Sequence, residues 1–134
     1  MNGRMFRVTV TAQAGYALIT GVWPLIHIAS FLEVTGPKTD IWLVKTVGAL
    51  LIPVSACLSL FLFIPSLDKR PAVLLGSLCC IAFICIDCYY ALTDVISDVY
   101  LLDGLIQVGL LICWIYIAIK NKHELFQKQS AMNR

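Results

Sequence analysis

The chain has 134 residues, of which 60% are hydrophobic and 13% charged, with a formal net charge of +2. A soluble domain this small cannot hide so much apolar surface. The composition therefore excludes a soluble globular enzyme, a disordered chain and a nucleic-acid-binding domain, and it implies an integral membrane protein surrounded by lipid.

Crossing about 30 Å of hydrocarbon takes about 20 mainly apolar residues. Four stretches qualify, at residues 10–32, 41–64, 72–95 and 99–119, leaving residues 120–134 as a tail. The connections EVTGPKTD, PSLDKRP and ISD are short, and short loops force neighbouring helices to run antiparallel. The expected fold is an all-α, four-helix up-down bundle forming one polytopic domain. Gly36-Pro37 interrupts the chain after the first span, and Asp40 and Asp98 stand where they could cap the second and fourth. Pro24 and Pro53 fall inside spans one and two, where each removes a backbone hydrogen bond and predicts a kink. The first apolar stretch is too long for the core of a signal peptide and reads as a retained helix.

Basic residues set the orientation. Arg4, Arg7, Lys69, Arg70, Lys120, Lys122, Lys128 and Arg134, eight of the ten, fall on one side of a four-span topology, with only Asp68 and Glu124 against them. Both termini are therefore expected to be cytoplasmic, with the two acidic loops facing out.

The halves resemble each other. VTGPKTDIWLV at 34–44 aligns with LTDVISDVYLL at 92–102, matching Thr35 to Thr93, Asp40 to Asp98 and Leu43 to Leu101. Two tandem helical hairpins related by a parallel repeat would produce this pattern. So would two turns that independently need Thr, Asp and an interfacial aromatic. A true repeat puts Lys45 opposite Asp103, where they could pair across a pseudo-twofold axis.

Ionisable residues inside a span are costly, and each is a functional candidate by default. They are His27, Lys45, Asp87 and Asp103, all in the outer half of the bilayer by span position, with Asp94 near the outer end. Asp87, Tyr90 and Asp94 share a helix face, as do Asp103 and Gln107. Gln13, Tyr16, Thr20, Trp23 and His27 form a polar stripe along span one. The inner halves of spans two to four carry no charge. Together these features predict a polar pocket open to the outside and closed beneath by a dry plug. Asp87 would anchor a ligand there, Tyr90, His27 and Trp23 would line the walls, and Lys45 and Asp103 would pair near the mouth. More ordinary roles also fit: Lys45 and Asp103 snorkel to the interface, and His27 and the Gln13 stripe join helices by hydrogen bonds.

All six cysteines, Cys57, Cys79, Cys80, Cys85, Cys88 and Cys113, lie within the expected spans, which excludes a disulfide-stapled ectodomain. Cys85-Ile86-Asp87-Cys88 is a CxxC pair on a helix. Over those four residues it is loosely similar to the CxxC helix of the vitamin K epoxide reductase family, itself built on a four-helix core. The resemblance implies quinone-linked thiol oxidation at Cys85 and Cys88. The second, loop-borne cysteine pair of that family has no counterpart here, and cysteine also serves helices as a small packing residue. The two histidines are too far apart in sequence for a closed metal site, and no cofactor is expected. Small residues at Ala14, Ala17 and Gly21, and at Gly104 and Gly109, allow close helix approach, within the chain or between copies.

The leading expectation is a pocket for a small, partly apolar ligand. Three others share the same residues: a proton-coupled oligomeric transporter or channel, a thiol oxidoreductase, and an accessory subunit of a larger membrane complex.

Overall fold

A computed structural model describes residues 3–64 and 66–132, with side chains described as far as Lys120. The described residues form five helices and no strand: α1 (Gly3–Ile26), α2 (Ile28–Thr35), α3 (Ile41–Phe63), α4 (Arg70–Leu92) and α5 (Val99–Met132). Helices α3, α4 and α5 are each long and apolar enough to cross a membrane. The pair α1 and α2 makes a fourth span when taken together, and it is bent by 117°.

That bend is the main departure from the expected first span at 10–32. Pro24 cannot donate a backbone hydrogen bond and destabilises the turn around it, and the helix ends at Ile26. His27 then caps a new helix, its Nδ1 accepting from the Ser30 amide at 3.1 Å. Trp23 Nε1 donates to Ser30 Oγ at 2.8 Å, and the Trp23 and Phe31 rings meet edge to face at 5.6 Å. Pro53 causes no such break, since α3 runs unbroken from Ile41 to Phe63.

The other ends have local causes too. Asp40 precedes α3, but its side chain makes no capping bond, and its carbonyl receives the amides of Leu43 and Val44 instead. Before α5 it is Ser97 Oγ, not Asp98, that receives the Val99 amide, at 3.5 Å. Helix α4 stops at Leu92, three residues short of the expected end, in a two-bond C-terminal motif. Val95 N–H donates to Tyr90 O and Asp94 N–H to Ala91 O, with Asp94 at φ 56° in the left-handed region.

Helix α1 packs mainly on α3, and α4 mainly on α5. The α1–α3 crossing is glycine on glycine. A Cβ on Gly21 would stand 2.7 Å from the Gly48 carbonyl oxygen, and one on Gly48 would stand 2.6 Å from that of Gly21. Ser55 Oγ ties the same pair further along by donating to Ala14 O at 2.7 Å.

The two pairs meet in a core at the end of the bundle that holds the N-terminus and the α3–α4 loop. Phe6, Val10, Leu58, Ala72, Cys80 and Trp114 are buried there. Trp114 is fully buried and lies over Gly76, where any larger residue would collide with its ring. Its Nε1 donates to Gln13 Oε1 at 2.6 Å, and Gln13 Nε2 donates to Gly76 O at 3.0 Å and Cys80 Sγ at 3.3 Å. Gln13 thus joins α1 to both α4 and α5, and its polar atoms are satisfied inside an apolar core, as burial in hydrocarbon demands. Phe6 closes the other side of Trp114, ring to ring at 6.0 Å.

Candidate functional site

Helix α2 and the linker that follows it lie across the opposite end of the bundle, where α1 and α4 end and α3 and α5 begin. Beneath them is a cavity of about 250 Å³. Helix α1 contributes Thr20 and Pro24, α2 contributes Phe31, and the linker contributes Lys38. Helix α3 lines it with Leu43, Val44, Val47, Gly48 and Leu51, which recur at helical spacing. Helix α4 adds Phe83 and Asp87, four residues apart, and α5 adds Tyr100 and Asp103, three apart. The wall is mostly apolar with a few polar groups converging on it, the usual make-up of a small-molecule site.

The two carboxyl groups differ. Asp103 Oδ1 accepts from the Tyr16 hydroxyl at 2.6 Å and from Gln107 Nε2 at 3.4 Å. Asp87 is 3% exposed, and its Oδ2 is buried with no hydrogen-bond partner among the described residues. A buried, unmatched polar atom costs about 1–3 kcal/mol, and more when charged. Asp87 faces Gly104 of α5, where an added Cβ would stand in ordinary contact with the Asp87 Cβ at 3.8 Å.

Lys38 is the one cation among the lining residues. Its Nζ donates to the carbonyls of Thr35 at 2.7 Å and Gly36 at 3.5 Å and sits 5.0 Å from the centre of the Tyr100 ring. The ammonium therefore terminates α2, stabilised by the carbonyls left open at a helix C-terminus, and it is not bonded to either carboxyl. Partial burial holds its pKa below the ordinary lysine range.

A second, smaller space of about 20 Å³ continues inward, sharing Thr20, Leu51, Phe83 and Asp103 with the first and adding Gln13, Tyr16 and Gln107. It has the size for a single water. Gln107 Oε1 is buried there without a partner among the described residues. Beyond it lies the core around Trp114.

The sequence-derived candidates divide. Asp87 and Asp103 come to one cavity. Lys45 does not reach it: the residue is exposed, one position and thus about 100° around the helix from the lining Val44, and it forms no ion pair with Asp103 among the described residues. His27 and Trp23 are engaged with Ser30 in shaping the α1–α2 bend and are not in the wall. Tyr90 is 41% exposed and stacks edge to face on Tyr89 at 5.1 Å. It lies three residues beyond Asp87, whereas the lining face of α4 runs back through Phe83. All six cysteines are free: Cys85 is exposed and Cys88 half-buried, and neither lines the cavity.

Lys38, Tyr100, Phe31 and Phe83 were not singled out from sequence. The spacings Phe83–Asp87 and Tyr100–Asp103 carried a signal for two of them. Phe31 and Lys38 are brought in by the bend at His27, which helical periodicity does not report. In comparisons with known proteins, no family model, no curated protein and no solved structure matches this chain.

Proposed function

We propose that this protein binds a small, partly apolar ligand in an intramembrane pocket that opens at the end of the bundle carrying α2 and the α4–α5 loop. One observation carries the reading: a cavity of about 250 Å³ holds a buried carboxyl oxygen of Asp87 that no group among the described residues satisfies. Protein interiors rarely leave such an atom unmatched, and binding sites are where the exceptions gather. The Gln13–Trp114 core closes the far end, so the pocket is blind. The basic residues cluster at the closed end, so the positive-inside rule turns the open end away from the cytoplasm, with both termini inside.

Transport is the second reading. It draws on the polar descent from Asp103 through Tyr16 and Gln107 toward Gln13, which would have to become continuous past Trp114.

Accessibility separates the two. Val44→Cys and Leu58→Cys are made in a background whose native cysteines are replaced and reconstituted into vesicles. Each is then exposed to a membrane-impermeant methanethiosulfonate from one side at a time. The blind pocket predicts reaction at position 44 from the non-cytoplasmic side only and none at position 58. Reaction at both positions, or at position 44 from both sides, supports a transport path. No reaction at either defeats the pocket.

A further inference from the structure

The chemistry of the wall narrows the ligand. The cavity holds two carboxyl groups, one of them satisfied within the protein, and one ammonium with two of its three donors on backbone carbonyls. What the wall lacks is a positively charged hydrogen-bond donor at Asp87. A carboxylate ligand would meet Asp87 and Asp103 with like charge and only the one remaining donor of Lys38. A neutral apolar ligand would leave Asp87 Oδ2 unmatched in an even drier site, at higher cost. An ammonium supplies several donors and the missing charge together. The rings of Phe31 and Phe83 in the same wall favour a cation further. Size sets the other limit, because about 250 Å³ is below the usual range for drug-sized ligands and admits only a compact body.

Resting on the pocket reading, we infer that the site selects a small amphipathic cation, an organic ammonium on a compact apolar body, with its nitrogen on Asp87 and its apolar part against Val44, Val47 and Leu51. Such an ammonium has two sources, a free amine or the headgroup of an aminophospholipid.

The test uses three isosteric probes, cyclohexylmethylamine, cyclohexylmethanol and cyclohexanecarboxylate, titrated calorimetrically into the full chain in phosphatidylcholine nanodiscs. The inference expects the amine to bind about tenfold or more tighter than the alcohol, and the carboxylate not to bind. Asp87→Asn should remove that advantage, with far-UV circular dichroism checking that the variant is folded. Val44→Trp should abolish both by filling the cavity. Equal binding of amine and alcohol, both lost in Val44→Trp, overturns the cation inference and keeps the pocket. Carboxylate binding tightest overturns the inference in favour of Lys38 as the anchor. Probe binding absent throughout, or indifferent to Val44→Trp, overturns pocket and inference together. If Asp87→Asn does not fold, the wild-type ranking of the three probes still decides. Repeating the titration in phosphatidylethanolamine nanodiscs separates the sources: unchanged affinity assigns a free amine, and competition by the lipid assigns the headgroup.

Discussion

Gly76 tests the closed end of the bundle most directly. A methyl group there would stand 2.6 Å from Trp114 Cζ2 and closer still to Cε2. Ordinary contacts of that kind begin at 3.4 Å, so the indole must retreat by about an ångström on simple van der Waals grounds. It has nowhere to go, because Trp114 is fully buried, bonded to Gln13 at 2.6 Å and backed by Phe6. Overpacking of this sort costs about 1–3 kcal/mol, and breaking the indole hydrogen bond would add about 0.6 kcal/mol in a membrane interior. Against this, replacing a helical glycine by alanine returns about 0.5–1 kcal/mol. Gly76→Ala should therefore destabilise by about 1–3 kcal/mol net. Gly109→Ala, with nothing within 4 Å of its new methyl group, is the control and should be neutral or mildly stabilising. The assay is reversible unfolding in mixed micelles by SDS titration, followed by far-UV circular dichroism. The decisive measurement is the double variant with Trp114→Leu, which removes the obstructing atoms: there, Gly76→Ala should cost almost nothing. If Gly76→Ala matches the Gly109 control, or its penalty is unchanged by Trp114→Leu, the packing described for this core is wrong.

Three further outcomes are expected. Asp87→Leu removes a buried carboxyl with an unmatched oxygen and should raise stability in the same unfolding assay by about 1–3 kcal/mol while eliminating the amine response; a loss of stability would mean that Asp87 is structural. Asp94→Gly relieves a left-handed residue at the end of α4 and should stabilise by about 1 kcal/mol. Lys38 has a lowered pKa in the folded protein because burial disfavours its charge, so the unfolded chain holds that proton more tightly. Its contribution to stability therefore rises as pH climbs through the lowered value toward 10.5, and Lys38→Met should flatten this part of the alkaline profile relative to wild type. An unchanged profile would show that the ammonium is fully solvated.

The all-helical character was legible because so apolar a chain points to hydrocarbon, which admits few alternatives, and three expected spans correspond to α3, α4 and α5, each long and apolar enough to cross a membrane. Helix α5 runs on past its span, through Met132. The first span misled because its pattern is apolar on both sides of His27, while the bend depends on Pro24 and on Ser30 acting three residues after a cap. Asp87 stood out in the sequence by depth alone. Its surroundings did not, since a charge near a helix end can point inward or outward for the sake of one residue's rotation. Lys45 and Lys38 show this most clearly. The lysine inside the expected span faces away from the cavity, and the lysine in the loop joins its wall because α2 folds the linker back over the bundle.

The distribution of polar ties between the two helix pairs has a mechanical consequence. Among the described residues, Gln13 makes three hydrogen bonds across to α4 and α5 near one end. Toward the other, Tyr16 to Asp103 is the single hydrogen bond between the helices of the two pairs, supplemented by the Lys38 contact with Tyr100. The molecule is thus built like a pair of tweezers riveted at its N-terminal end. Polar ties between the tips amount to one hydrogen bond and one cation–ring contact beside the apolar packing there, while the rivet lies at the other end and the glycine crossing lies inside one arm. The end of the bundle at which the proposed pocket opens is therefore also the end most weakly tied by polar groups.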